Sequence, residues 1–256
     1  MKKITFLAAV LAVLTVLPGR AGELPFGPGE RMEYEIYWTV FHAADAVLEV
    51  MDDTEMRGEP ARYFKATARS AEWIDNIYRV RDTIESWTDM DVGYSLRYMK
   101  DQNEGSYHKK VDLVFDKKSN LSHRYSRGKY SMSLVQPVDV FDPMSILFAF
   151  RKYDLYEGMH FAANVSDGKK SVVSEAFVEK AEDVETDLGA FRCFKVRIDV
   201  KHLSGVFNKS KDASLYVWFT ADARRIPVRV KSKVSVGHFS MELVGYRPPS
   251  VVAAEN

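Results

Sequence analysis

The side chains able to do chemistry are dispersed along this chain, and their spacing argues against most chemistries. His42, His108, His123, His160, His202 and His238 are its histidines. No two of them have a metal-ligand spacing, and neither H-E-x-x-H nor C-x-x-C occurs. A lone histidine in a strand is more often a surface or hydrogen-bonded group than a ligand. Neither a metal nor a cofactor is therefore expected. Glycoside hydrolysis needs two carboxyl groups at a set separation. Asp52, Asp53, Asp82, Asp139 and Asp142 are candidates, yet spacing alone brings no two of them together. G-x-S-x-G, a Walker loop and a G-x-G-x-x-G opening a helix are all missing. Cys193 is the single cysteine, so it closes no internal disulfide. It sits in the alternating run Phe191-Arg192-Cys193-Phe194-Lys195, where a small buried apolar residue is the expectation. A reactive thiol would want a basic, partly exposed niche.

The aromatic residues offer binding rather than reaction. Trp38, Trp73, Trp87 and Phe148, gathered on a concave face, could hold an acyl chain, another lipid or an envelope glycan. The competing expectation is that they fill a core, because aromatics favour strands and burial.

The elements that must position these residues are mostly strands. Apolar and polar residues alternate with period two in several runs, the pattern of half-buried antiparallel sheet. Met32, Tyr34, Ile36, Trp38 and Val40 share one face. Phe194, Val196, Ile198 and Val200 share another, as do Ile226, Val228, Val230, Val234 and Val236. Phe239, Met241 and Leu243 continue the theme. Weaker runs lie at 44–51, 62–68, 78–88, 94–100, 107–115, 130–135, 160–165, 172–180 and 215–219. Asp167-Gly168, Asp187-Leu188-Gly189 and Ser204-Gly205 punctuate them as turns. The expected fold is mainly β: a curved antiparallel sheet or half-barrel of ten or more strands, since so wide a sheet curls or splits. One helix of about three turns is expected over 142–153. Asp142 is its N-cap, Pro143 its first helical residue, and Arg151 and Lys152 complement its dipole. Its apolar girth predicts burial in the hollow of the sheet. Residues 70–76 add a short helical turn around Trp73.

Residues 1–21 read as an address. Lys2-Lys3 precede the apolar run Ile4–Leu17, Pro18-Gly19 breaks it, and Gly19-Arg20-Ala21 offers small residues for cleavage between Ala21 and Gly22. The run is shorter than the ~20 residues a membrane-spanning helix needs, so removal is favoured over anchoring. A periplasmic or secreted protein follows, with no stable membrane anchor. Residues 22–256 then form one β-rich domain with an ordered core of about 26–247. The whole chain carries 36 basic and 36 acidic side chains, and cleavage removes three basic ones. So balanced a charge makes no electrostatic case for nucleic acid.

Three segments together resemble a bacterial exported family, domain of unknown function 3108. They are the opening Phe26-Gly27-Pro28-Gly29-Glu30-Arg31-Met32-Glu33-Tyr34, the helix Asp142 to Arg151, and Val217-Trp218-Phe219-Thr220-Ala221-Asp222-Ala223-Arg224-Arg225-Ile226-Pro227-Val228. The resemblance runs from about Phe26 to Tyr246. It implies an exported protein with a curved antiparallel sheet, similar to the Lol-type periplasmic carriers that hold acyl chains in a half-barrel. It supplies no catalytic residues. Physically, Trp218 anchors a strand in the core, Asp222 with Arg224-Arg225 makes a polar turn, and Pro227 suits a strand start or edge.

The leading expectation is a noncatalytic periplasmic protein that binds or carries a hydrophobic or envelope-derived ligand. The alternative is an envelope structural protein that meets a protein partner through its sheet edges. A carboxylate-dependent envelope hydrolase ranks third.

Overall fold

The computed structural model describes residues 24–199, 213–234 and 237–250. The leader at 1–21 with its cleavage point, His202, the Ser204-Gly205 turn and the ends of the alternating runs at Val200 and Val236 lie outside the described residues.

Alternation becomes strand nearly everywhere it occurs. The first arc of strands is β1 (Arg31–Trp38), β2 (Phe41–Val50), β3 (Thr54–Met56), β4 (Glu59–Ser70), β5 (Arg81–Thr88), β6 (Ser95–Glu104), β7 (Tyr107–Asp116), β8 (Leu121–Ser126) and β9 (Lys129–Val135). The second arc is β10 (Val140–Phe141), β11 (His160–Ser166), β12 (Ser171–Thr186), β13 (Gly189–Ile198), β14 (Ser214–Thr220), β15 (Pro227–Val234) and β16 (Gly237–Arg247). Two helices interrupt them, α1 (Glu72–Tyr78) and α2 (Ser145–Arg151). In β1 the period is visible directly: Met32 and Tyr34 are buried and Glu33 is exposed. The face does not hold to its end, where Trp38 and Val40 are exposed.

Among the described residues all the strands belong to one open sheet ordered β10-β11-β12-β13-β14-β15-β16-β1-β2-β4-β5-β6-β7-β8-β9, with β3 attached to β4. Every pairing along this path is antiparallel except β10 with β11. So wide an antiparallel sheet curls because each strand is rotated against its neighbour. The curl brings its two edges together. β9 ends at Val135 and β10, on the opposite edge, begins at Val140. Within that short link, Gln136 Nε2 donates to Ser122 Oγ on β8 at 2.7 Å and to Ser166 Oγ on β11 at 2.8 Å. One buried side chain thus clasps both edges. Next to it, the β11–β12 turn fits against the first arc through Gly168. With φ of +78°, a Cβ there would sit 2.7 Å from Leu113 Cδ1, so only glycine is unstrained.

The central helix is shorter than the three turns expected over 142–153. α2 makes two turns, Ser145–Arg151, while Pro143 and Met144 form a turn before it and Lys152 ends it. It lies in the hollow of the sheet, with Ser145, Phe148, Ala149, Phe150 and Arg151 all buried. The expected turn around Trp73 forms as α1, displaced by two residues and with no buried side chain. Among the described residues no helix is long and apolar enough to cross a membrane.

Candidate functional site

Two buried polar anchors hold α2 in place. At its start, Asp142 is fully buried and accepts four hydrogen bonds. Oδ1 takes the backbone N–H groups of Met144 (2.8 Å) and Ser145 (3.0 Å), and Oδ2 takes the hydroxyls of Ser86 and Ser95, both at 2.6 Å. Asp142 therefore does the work of a cap from three residues before the helix, and also ties it to β5 and β6. Burial pushes its carboxyl above the usual carboxylate range, against the pull of those four donors.

At the other end, Arg151 and Glu30 are both fully buried. Arg151 Nη1 and Nη2 each donate to a different carboxylate oxygen of Glu30 at 2.8 Å. Nη2 also donates to the Arg224 carbonyl at 3.0 Å, and Tyr246 Oη donates to Glu30 Oε1 at 3.2 Å. This bidentate geometry is the strong form of a charge-assisted pair. The polar turn at 222–225 completes the clamp. Asp222 Oδ1 accepts from the Arg224 N–H, and Arg225 Nε donates to the Tyr153 carbonyl at 2.6 Å, just beyond α2. Arg151 thus keeps its expected place in the last turn of α2 and is also a buried ion-pair partner.

With α2 pinned to one side of the hollow, the other side stays open. A cavity of about 970 Å³ remains, at the upper end of the ~300–1,000 Å³ typical of small-molecule sites. Ile146, Leu147 and Phe150 of α2 form its floor, and Phe161, Val217 and Phe219 of β11 and β14 an apolar wall. The other wall comes from β6, β7 and β8 and carries Tyr98, Lys100, Lys109, Val111 and Arg124. Burial pushes the Tyr98 hydroxyl up. Burial also lowers Lys100, helped by repulsion from Lys109.

The residues proposed to touch ligand lie elsewhere. Trp38 and Trp73 are about half exposed at one end of the sheet. Trp73 Nε1 donates there to the His42 carbonyl and packs edge-on against Phe41. Trp87 is buried on the face opposite the core-facing Ser86, stacked on Tyr63 at 4.8 Å with Arg97 beside it. Phe148 is inside the hollow but packs on Phe64 at 3.8 Å and on Phe26 at 5.1 Å, away from the cavity lining. It fills core. Trp218 is buried as expected, on the sheet face opposite Val217 and Phe219, and its Nε1 donates to Glu182. Pro227 opens β15, and its carbonyl accepts the buried Tyr34 hydroxyl at 2.8 Å.

The remaining chemical candidates are not assembled. Asp53 pairs with Arg62, Asp82 accepts the Asn103 N–H, and Asp52 and Asp139 are exposed. Burial raises Asp82, with Glu104 adding to it. His42 meets Asp45, His108 meets Asn103, His123 meets Ser133 and His160 meets Glu175. Among the described residues no three His, Cys, Asp or Glu side chains gather as a metal site. Cys193 is fully buried, and burial pushes its thiol up to about 12. Sequence reasoning missed Glu30 as the partner of Arg151, and Lys100, Lys109 and Arg124 as cavity residues.

The fold and cavity define an open, β-barrel-like protein wrapped around one helix. The chain belongs to the family described as protein of unknown function DUF3108, which it matches over residues 33–244. It is similar in fold to a β-barrel-like protein of domain of unknown function DUF1849 from Brucella abortus. That likeness has a TM-score of 0.55 at 10% identity and covers 86% of this chain and 97% of the other. A protein described as exported, with a YmcC-like fold, from Bacteroides fragilis aligns at a TM-score of 0.37 and 12% identity, over 88% of this chain and 98% of its own. A hypothetical protein from Chlamydia trachomatis aligns at 0.38 and 7% identity, over 89% and 92%. No curated protein matches the sequence.

Proposed function

We propose that this is an exported, noncatalytic protein that binds a lipid or other acyl-chain-bearing molecule in the hollow between α2 and the sheet. The cavity of about 970 Å³ carries this reading. A packed interior leaves few voids larger than a water molecule, so an opening of that size lined by Ile146, Leu147, Phe150, Phe161, Val217 and Phe219 calls for an apolar occupant. An acyl chain suits this lining better than a glycan, because Trp38, Trp73 and Trp87, the rings suited to stacking on sugars, lie outside it. The secretory pattern of residues 1–21 supports a periplasmic setting.

Two measurements test it. Native mass spectrometry of protein isolated from a bacterial periplasm should show adducts of lipid mass that organic extraction removes. The extracted protein should then bind the neutral probe N-phenyl-1-naphthylamine saturably. Protein that carries no adduct and does not bind the probe would overturn the reading.

A further inference from the structure

Two arginines are buried in this hollow, and their surroundings differ. Arg151 is neutralised by Glu30. Arg124, on β8, is 5% exposed, lines the cavity and has no carboxylate partner among the described residues. Its Nη1 donates to Ser131 Oγ at 3.3 Å, and among the described residues its Nε has no partner. A buried charge left without a counter-ion is strongly unfavourable, so the uncompensated guanidinium points to an anion that belongs to the cavity.

The neighbouring side chains reinforce this. Leu113 on β7 pairs with both Tyr98 on β6 and Arg124 on β8, which places Tyr98, Leu113 and Arg124 on one face of the sheet. Lys100 and Lys109 follow on the same wall and line the same cavity. Neither makes an ion pair among the described residues, and burial followed by repulsion from Lys109 lowers Lys100, against the pull of Asp167, Asp82 and Glu104. Among the described residues five cationic side chains line the cavity against three acidic ones, Glu104, Asp167 and Asp199, although the chain as a whole has no net charge. The excess lies on the wall opposite the apolar surfaces of α2 and β14.

We propose that the ligand is an amphipathic anion, its acidic head against Arg124, Lys100 and Lys109 and its apolar chain along Leu147, Phe150, Val217 and Phe219. This rests on the cavity being a ligand site and names the chemical class it takes. The head is a carboxylate or a phosphate, both of which offer the oxygen acceptors a guanidinium matches in paired hydrogen bonds.

The test is displacement of N-phenyl-1-naphthylamine from the extracted protein by five competitors: dodecyl phosphate, dodecanoate, dodecanol, dodecyltrimethylammonium and inorganic phosphate. One or both anionic amphiphiles should displace the probe at concentrations about tenfold or more below dodecanol, the factor expected when a charged hydrogen-bonded head is added. Comparison of the two identifies the head. Inorganic phosphate should not displace the probe. Arg124→Met should bind the probe and dodecanol as before and lose most of the preference for the anion. It should also be at least as stable as the parent protein, because it removes an unpaired buried charge. Lys100→Met, at a partly buried position, gives the same readout if Arg124→Met does not fold. Equal displacement by dodecanol and both anions, or stronger displacement by the cation, overturns the proposal and leaves the cavity reading standing. Displacement by inorganic phosphate alone also overturns it, in favour of a free-anion site. Failure of the probe to bind at all overturns the cavity reading, and this proposal with it.

Discussion

Replacing either partner of the Glu30–Arg151 pair should cost far more than replacing both. Both side chains are fully buried and joined by two hydrogen bonds of 2.8 Å. Glu30→Met leaves the guanidinium with only the Arg224 carbonyl and the faces of Phe26 and Phe148 around it. Arg151→Met leaves the carboxylate with only the Tyr246 hydroxyl. Each single change strands a buried charge, which costs about 3–5 kcal/mol. The double change to Met removes both charges and fills the site with side chains of similar length, so it should fall within about 1–2 kcal/mol of the parent, because apolar replacement of a whole buried pair is often neutral or better. The interaction measured by the cycle is then at least about 4 kcal/mol in size, above the ~0.5–3 kcal/mol usual for contacting residues. Urea unfolding followed by tryptophan fluorescence reads this directly. At a slope near 2–3 kcal/mol per molar, each single variant should lower the midpoint by about 1–2 M. The exposed Arg192–Asp183 pair is the internal control, and its loss should cost no more than about 1 kcal/mol. Single variants at Glu30 and Arg151 no more costly than that control would refute the reasoning. So would a double variant as unstable as the two losses added together.

Three further outcomes are expected. Hydrogen bonds from Arg81 and then Ser70 hold the Asp75 carboxyl at about 2. This lies below its ordinary value of 3.8, so the stabilisation it gives α1 is present above pH ~4 and is lost as pH falls towards 2. NMR titration should show this midpoint, and Arg81→Met should return it towards 3.8; a midpoint that stays at about 2 without Arg81 would contradict the assignment. Cys193, buried and with its thiol raised to about 12, should resist a disulfide-exchange reagent in the native protein and react promptly in urea; stoichiometric native labelling would count against it. Gly168→Ala should lower stability by about 1–3 kcal/mol through its positive φ and its contact with Leu113; an unchanged urea midpoint would show that the turn is not seated as described.

Most strands could be read from sequence because most have one apolar face, and alternation reports exactly that. The exceptions are instructive. β8, Leu121–Ser126, escaped notice because its inward residues are Ser122 and Arg124, one serving the edge clasp and the other the cavity. The strand that carries this guanidinium thus turns a polar face inward. The helix is legible in its cap chemistry but its length is not, because the apolar residues around Met144 pack just as well in a turn. The tryptophans misled because an aromatic ring suits either face of a sheet when neighbours cover it, as Tyr63 covers Trp87. Glu30 and Arg151 lie 121 residues apart, and no local pattern marks such a pair.

The first and last strands among the described residues are neighbours in the middle of the sheet, with Arg31 opposite Arg247 and Trp38 opposite Phe239. A growing chain can build β1 to β9 hairpin by hairpin, and then β10 to β15, but these arcs share no ladder until β16 arrives between β15 and β1. Until then the molecule has two additional bare edges, each a template for wrong pairing. The cavity inherits this schedule, since its cationic wall belongs to the first arc and most of its apolar wall to the second. A chain cut short between β15 and β16 keeps every residue named in the pocket wall and still loses the one ladder that joins the two arcs among the described residues.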